Sequence, residues 1–355
     1  MKEHFIEKIK MQGPISISEY MTDNNIAPIK GYYNLDNTIG KNGDFITSPE
    51  ISQVFGELIG LYHTNYWHLC KNPKNPLFIE LGGGNGTMMK DALRAINKVD
   101  KNLRKLINPI FIETSKNLKQ RQRENVPEAI IYDDLQKLPN HFIQLTANEF
   151  FDALPIKQFI KMNNNWYERL IDIDPNNNEK LRFIASKNPT KYIKFFPKIS
   201  NKIKIFEFCS SAISLITHIS NKIKSYGGIA IIIDYSLNTD DHYGSLQAIN
   251  KHKYSNPLDN PGFIDLSARV NFDILKKTAL QNGMNVHGPI KQNKFLKNIG
   301  IDIRFKQLIK NNPNIKKEIN ASYEKLMSEN EMGGLFKVMI ITKKSYPAPD
   351  GFQNV

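Results

Sequence analysis

The stretch LFIELGGGNGTMMKDAL, residues 77 to 93, puts a carboxylate, Glu80, just ahead of three glycines at alternate positions, Gly82, Gly84 and Gly86. Glycine at this spacing lets the backbone turn sharply and present its own N–H groups, and a helix starting there adds the positive end of its dipole. A dinucleotide-binding turn has the spacing G-x-G-x-x-G/A, and here Thr87 stands at the third small-residue position. Glu80 weighs more, because a carboxylate in a site of low dielectric repels a pyrophosphate and favours a cation. S-adenosylmethionine, a nucleoside with an ammonium, a sulfonium and no phosphate, meets that requirement. Taken alone, the turn leaves three readings open: a methyl-donor site, a dinucleotide site and a purely structural turn.

Further acidic positions follow other apolar runs. Glu113 closes the run of NPIFIETS and could accept both hydroxyls of a ribose, a role common to either nucleoside class, or stand as a solvated strand-end carboxylate. In YDDL, Asp133 and Asp134 lie where an adenine amino group would come, and both serve equally well as turn or helix caps. ANEFFDALP then supplies Asn148, Glu149 and Asp152, with Pro155 forcing the chain out. Two carboxylates three residues apart beside a cofactor can hold a guanidinium through paired charge-assisted hydrogen bonds, with one nitrogen turned toward a methyl group. The competing reading makes Asn148 a cap and pairs Asp152 with a lysine such as Lys157. Tyr32, Tyr33 and His252 are candidate walls of a substrate channel, although aromatic residues are more often core.

Such groups need strands to carry them. From Leu77 the chain alternates short apolar runs with helical stretches: LFIEL before TMMKDALRAI, NPIFIETS before KNLKQRQREN, then AIIYDD, FIQLTAN and, later, GGIAIIIDYS. That alternation implies an α/β, doubly wound parallel sheet that binds ligands at the carboxyl ends of its strands. Residues 50 to 70, apolar at Ile51, Val54, Phe55, Leu58, Ile59 and Tyr62, predict a helix with one buried face. Residues 1 to 30 predict two helices, the second near SISEYM, and GYYNLDNTIGKNGDFITSP follows as a long loop of the kind that often carries function. QFIKMNNNWYERLIDID through LRFIA predicts an antiparallel hairpin, 191 to 224 reads as mainly helical, and 237 to 267 as a polar loop. The expected division is a helical N-terminal region with its loop over 1–76 and a catalytic domain over 77–355. Insertions are expected around 156–225 and, helical, around 293–327.

Composition narrows the partners. Hydrophobic residues make up 40% and aromatics 10% of 355 residues, enough for a packed interior. The excess of 48 Lys and Arg over 35 Asp and Glu gives a net charge of +13, which permits nucleic acid as a partner. The lysines are spread evenly among asparagine and isoleucine, as in an AT-rich coding sequence, so they read as solvated faces and no nucleic-acid partner is expected. Cys70 and Cys209 lie far apart in no metal-ligand spacing, and neither a disulfide framework nor a metal site is expected. No stretch approaches the ~20 apolar residues of a membrane span. MKEHFIEKIKMQGPIS has no secretory apolar run, which points to the cytoplasm for a bacterial source.

Taken in order, GYYN, GDFITSPEISQVFGELIG, ELGGGNGTMM, ANEFFDALPIKQF, GGIAIIIDYS, PGFIDLSARVNF, GPIKQNKFLKNIGI and MGGLFKV resemble the MidA-like family of class I S-adenosylmethionine-dependent methyltransferases. That group includes the mitochondrial methyltransferase that assists assembly of respiratory complex I. The resemblance implies a Rossmann-like class I methyltransferase sheet with a helical N-terminal region and inserted hairpin and helical elements. It also implies S-adenosylmethionine as cofactor and activity on protein arginine, in the mitochondrial matrix on a complex I subunit if the source is eukaryotic. A cofactor-binding assembly factor without turnover, or a small-molecule methyltransferase, would use the same motifs. Carried over by position, Glu80, Gly82, Gly84 and Gly86 match the cofactor loop, and Glu113 matches the ribose acid. Asn148, Glu149 and Asp152 match the segment after the fourth strand. Thr47, Ser48 and Glu50 match an N-terminal loop that closes over the cofactor, and Pro261, Gly262 and Asp265 a loop that could face the substrate. The expected site is therefore Glu149 and Asp152 for catalysis, with Thr47, Ser48, Glu80, Gly82, Gly84, Gly86, Glu113, Asp134 and Asn148 for the cofactor. The chain departs from the family at Gly83 and Asn85, where Pro and Arg are usual, at Arg269, where it tends toward His, and between SEYM and GYY.

Overall fold

The computed structural model describes residues 1–27, 31–35, 46–192, 202–237, 242–250 and 253–352. His252 and residues 36–45 of the N-terminal loop lie outside them. The main sheet has seven strands: β1 Leu77–Leu81, β2 Asn108–Ile112, β3 Ile130–Tyr132, β4 Ile143–Asn148, β5 Gly228–Tyr235, β6 Met284–Lys291 and β7 Phe336–Lys343. Their side-to-side order is β3-β2-β1-β4-β5-β7-β6. β1 to β5 run parallel, and β7 lies antiparallel to both β5 and β6. Every residue of β1 and β4 is buried, as in central strands covered on both faces, and β4 buries the polar Gln144, Thr146 and Asn148 along with its apolar side chains. Chain order reverses between β1 and β4, where Leu81 pairs with Ala147. In open α/β sheets ligands bind at the carboxyl edge beside such a reversal.

Two helices on this sheet meet at a glycine seam. α1, Gln53–Leu69, packs on α2, Thr87–Val99, and a Cβ on Gly56 would lie 2.8 Å from the Met88 carbonyl oxygen, one on Gly60 2.7 Å from Ala92 Cα. The helix expected over 50–70 is broken at Ser52, whose extended backbone separates Ser48–Ile51 from α1 and whose hydroxyl accepts from the Val54 N–H at 3.3 Å.

The chain groups into two compact units, each drawn from several segments. The sheet unit comprises Ile39–Phe151, Ile213–Ser236 and Val270–Val355; the other comprises Met1–Thr38, Asp152–Ala212 and Leu237–Arg269. A linear cut at residue 76 does not describe this grouping, because the N-terminal helices pack with segments far along the chain. In the second unit the helix Ile17–Ile26 starts at a capping box, Glu19 N–H donating to Ser16 Oγ at 3.1 Å and Ser16 N–H to Glu19 Oε2 at 2.9 Å. The expected hairpin is present as Lys157–Met162, Asn165–Asp174 and Asn177–Ala185. Ile205–Phe208, read as helical, is instead a strand on Lys157–Met162, its Phe206 buried with Phe159 and Trp166. The segment read as a polar loop carries a small sheet of Gln247–Asn250, Lys253–Ser255 and Asp265–Ser267. Buried Asn24 and Asn25 hold its last connection, Gly262 N–H donating to Asn24 Oδ1 at 2.6 Å and Asn25 Nδ2 to the Leu266 carbonyl at 2.9 Å. Among the described residues no helix is long and apolar enough to cross a membrane.

Alanine ordinarily favours a helix over glycine by ~1 kcal/mol. At position 60 the overlap with Ala92 outweighs this, since overpacking costs ~1–3 kcal/mol. Gly60→Ala is therefore expected to lower the melting temperature; a rise would contradict the seam.

Candidate functional site

The glycine turn follows β1 in a shape that only glycine adopts easily. Gly82, Gly84 and Gly86 have φ of +60°, +50° and +81°. A Cβ on Gly82 would meet the Phe150 ring at 2.5 Å, and one on Gly83 the Phe111 ring at 2.6 Å. The space that a larger side chain would need at position 83 is thus taken by an aromatic ring. Gly86 precedes α2 without a side-chain cap, and Glu50 reaches that helix end, its Oε1 accepting from Thr87 Oγ1 at 2.6 Å and Asn85 Nδ2 at 3.2 Å. Thr87, the departure from the dinucleotide pattern, is thus a hydrogen-bond donor to the Ser48–Ile51 segment.

Glu80 lies deeper than a residue at the mouth of the turn. It is 4% exposed, and burial pushes its carboxyl up to about 8 against a weaker opposing effect of the Met89 N–H. Its Oε2 has no hydrogen-bond partner among the described residues. Glu113, at the end of β2, accepts from the Thr114 and Ser115 N–H groups on Oε1, both at 2.8 Å, and from Gln122 Nε2 on Oε2 at 3.3 Å. Burial raises its pKa, and those hydrogen bonds oppose the rise. Gln122 belongs to α3, Lys116–Asn125. Asp134 is exposed and caps the turn after β3, accepting from Gln136 N–H at 2.9 Å.

At the end of β4, Asn148 Nδ2 donates to Glu149 Oε1 at 2.9 Å, and the Ser48 N–H donates to the same oxygen at 2.8 Å. Thr47 precedes Ser48, its carbonyl accepting from the Glu50 N–H at 2.9 Å. Glu149 has φ of +51°, an unfavourable shape for a side chain with a Cβ. Asp234, fully buried at the end of β5, fixes the turn: its Oδ2 accepts from the N–H groups of Phe150 at 3.2 Å and Phe151 at 2.8 Å, its Oδ1 from Tyr235 at 2.7 Å. Sequence reasoning missed this residue, although a single carboxylate ending the run IAIIID was a readable sign.

The carboxyl edge of the sheet unit thus carries Thr47, Ser48, Glu80, Gly82, Gly84, Gly86, Glu113, Asn148 and Glu149. Asp152 belongs to the second unit, where the Ala268 N–H donates to its carbonyl at 2.9 Å. There the Tyr33 hydroxyl donates to Asp265 Oδ1 at 2.9 Å, and burial, reinforced by Asp265 and Asp152, raises the Tyr33 pKa.

The edge fits a cationic nucleoside. The left-handed glycines leave backbone where side chains would intrude, and among the described residues Glu80 Oε2, Gln122 Oε1 and Asn148 Oδ1 are buried acceptors without partners. Residues 58–290 match a family described as S-adenosyl-L-methionine-dependent methyltransferases. The chain belongs to this family. The methyltransferase is 35% identical over 369 residues to protein arginine methyltransferase NDUFAF7, mitochondrial, of Xenopus tropicalis, covering 96% of this chain and 85% of that protein. It is likewise 35% identical to the human protein of that name, covering 95% and 82%. Its fold is that of a Burkholderia thailandensis protein solved with S-adenosyl-homocysteine bound, at a TM-score of 0.85, 23% identity and coverage of 99% and 94%. The class I fold and the cofactor, S-adenosylmethionine, are those expected.

Asp234→Ala strands three backbone N–H groups and should lower unfolding stability by at least ~2 kcal/mol in a denaturant titration. For Glu80, the folded pKa of about 8 lies above the ordinary 4.5, so the folded protein keeps a proton that the unfolded chain releases. Stability should then fall as pH rises through that window, by up to about 1.4 kcal/mol per pH unit, and Glu80→Gln should flatten the slope. The same shift predicts proton release when the cationic cofactor binds near pH 7, seen as a dependence of binding heat on the buffer's ionisation enthalpy and absent in Glu80→Gln.

Proposed function

We propose that this methyltransferase modifies arginine in a protein substrate. The observation that carries the reading is Glu149, held in a left-handed turn beside the glycine loop at the strand reversal, in a chain whose relatives at 35% identity are named protein arginine methyltransferases. Gly82, Gly84, Gly86 and Glu80 take the methionine part of the cofactor, Glu113 the ribose, and Asp134 the adenine end. Thr47, Ser48 and Asn148 line the approach. Glu149 receives the guanidinium.

When bound, S-adenosylmethionine supplies a methyl carbon whose bond to sulfur breaks, with the electron pair passing to sulfur, as the substrate nitrogen attacks. An arginine is almost fully protonated near neutral pH, its pKa being above ~12. A carboxylate beside it localises the charge on the other nitrogens, orients one lone pair in line, and accepts or relays the proton that leaves after transfer. Orientation of this kind can contribute ~7 kcal/mol or more. The family resemblance further supports a respiratory complex I subunit of the peripheral arm as the substrate. The compartment is then the mitochondrial matrix for a eukaryotic source and the cytoplasm for a bacterial one.

Mass spectrometry of peripheral-arm proteins incubated with the enzyme and cofactor should show a new methyl-arginine. Glu149→Gln should lower kcat by ~100-fold while cofactor affinity stays within about threefold, since the charge acts on the transition state. Cofactor binding without any methyl-arginine on these proteins would sink the arginine reading.

A further inference from the structure

Helix α3 reads KNLKQRQREN, a charged surface stretch, yet its Gln122 is fully buried. Burying an amide is costly unless its hydrogen bonds are met. Gln122 Nε2 donates to the Gly84 carbonyl at 3.1 Å and to Glu113 Oε2 at 3.3 Å. Both neighbours are acceptors, so the amide must turn its NH2 toward them, which leaves Oε1 as a buried acceptor with no partner among the described residues. The Gln122 backbone lies beside the turn as well, 3.4 Å from where a Cβ on Gly86 would stand.

One side chain therefore spans two parts of the cofactor edge that different strands deliver: the glycine turn after β1 and the acid that ends β2. The Thr114 and Ser115 N–H groups hold the other oxygen of Glu113. We propose that Gln122 is a positioning residue for the nucleoside, setting the spacing between the glycine turn and Glu113 and presenting Glu113 Oε2 to the ribose hydroxyls. The inference rests on the reading that Glu113 takes the ribose.

The test pairs a side-chain change with a ligand change. Gln122→Met keeps the length and removes the hydrogen bonds; calorimetry would compare S-adenosyl-homocysteine with its 2′-deoxy analogue on both proteins, with melting curves as a folding check. The variant should lose about tenfold affinity for S-adenosyl-homocysteine and less than twofold for the deoxy analogue, a coupling of about 1 to 1.4 kcal/mol. Equal losses with both ligands, or no loss with either, overturn the proposal. If Gln122→Met does not fold, Gln122→Asn, too short to reach both partners, takes its place with the same criterion. Glu113→Gln separates the two readings. If it leaves S-adenosyl-homocysteine affinity intact, the ribose assignment and this inference both fall; if it weakens binding while the Gln122 variants do not, only this inference falls.

Discussion

Carboxylates at the ends of parallel strands, each accepting backbone N–H groups, organise the carboxyl edge of this protein. Where a strand ends, its backbone donors lose their ladder partners and must find others or face a steep desolvation cost. Glu113 takes two such groups after β2, Asp234 takes three around the ends of β4 and β5, and Glu149 takes one from Ser48. The arrangement lines the edge with carboxyl groups while its backbone is satisfied, which suits a ligand carrying an ammonium and a sulfonium.

The same contacts shape the glycine turn. Asp234 fixes the backbone of Phe150, and the Phe150 ring occupies the space a side chain on Gly82 would need. Phe111, from β2, does the same for Gly83. The turn is thus clamped by a ring from β2 and a ring from the turn after β4, the two strands that flank β1, and its shape depends on the strand order as much as on its own glycines.

Much of this was legible in the chain. The apolar runs marked β1 to β5, and Glu80 with three alternate glycines marked the left-handed turn after β1. Features that depend on distant partners left no local trace. Ile205–Phe208 is a strand because Lys157–Met162 offers it an edge, and a periodicity window cannot see that edge. Gln122 looked like surface because its burial comes from Gly86 and Glu113, residues on other elements. The depth of Glu80 was likewise invisible, since an acid in an apolar run reads the same whether it faces solvent or the underside of a turn.

In the second unit, Phe5, Ile9, Ile15, Ile17, Tyr20 and Met21 form one core with Ile156, Ile171, Ala248, Ile264, Leu266 and Ala268. On a ribosome adding ~5–20 residues per second, the first helices emerge on the order of 10–50 s before the last of these partners. Through that interval their greasy faces are at best partly covered, by Ile156 and Ile171 once these emerge, so the nascent polypeptide is a natural client for a holding chaperone until its final third arrives.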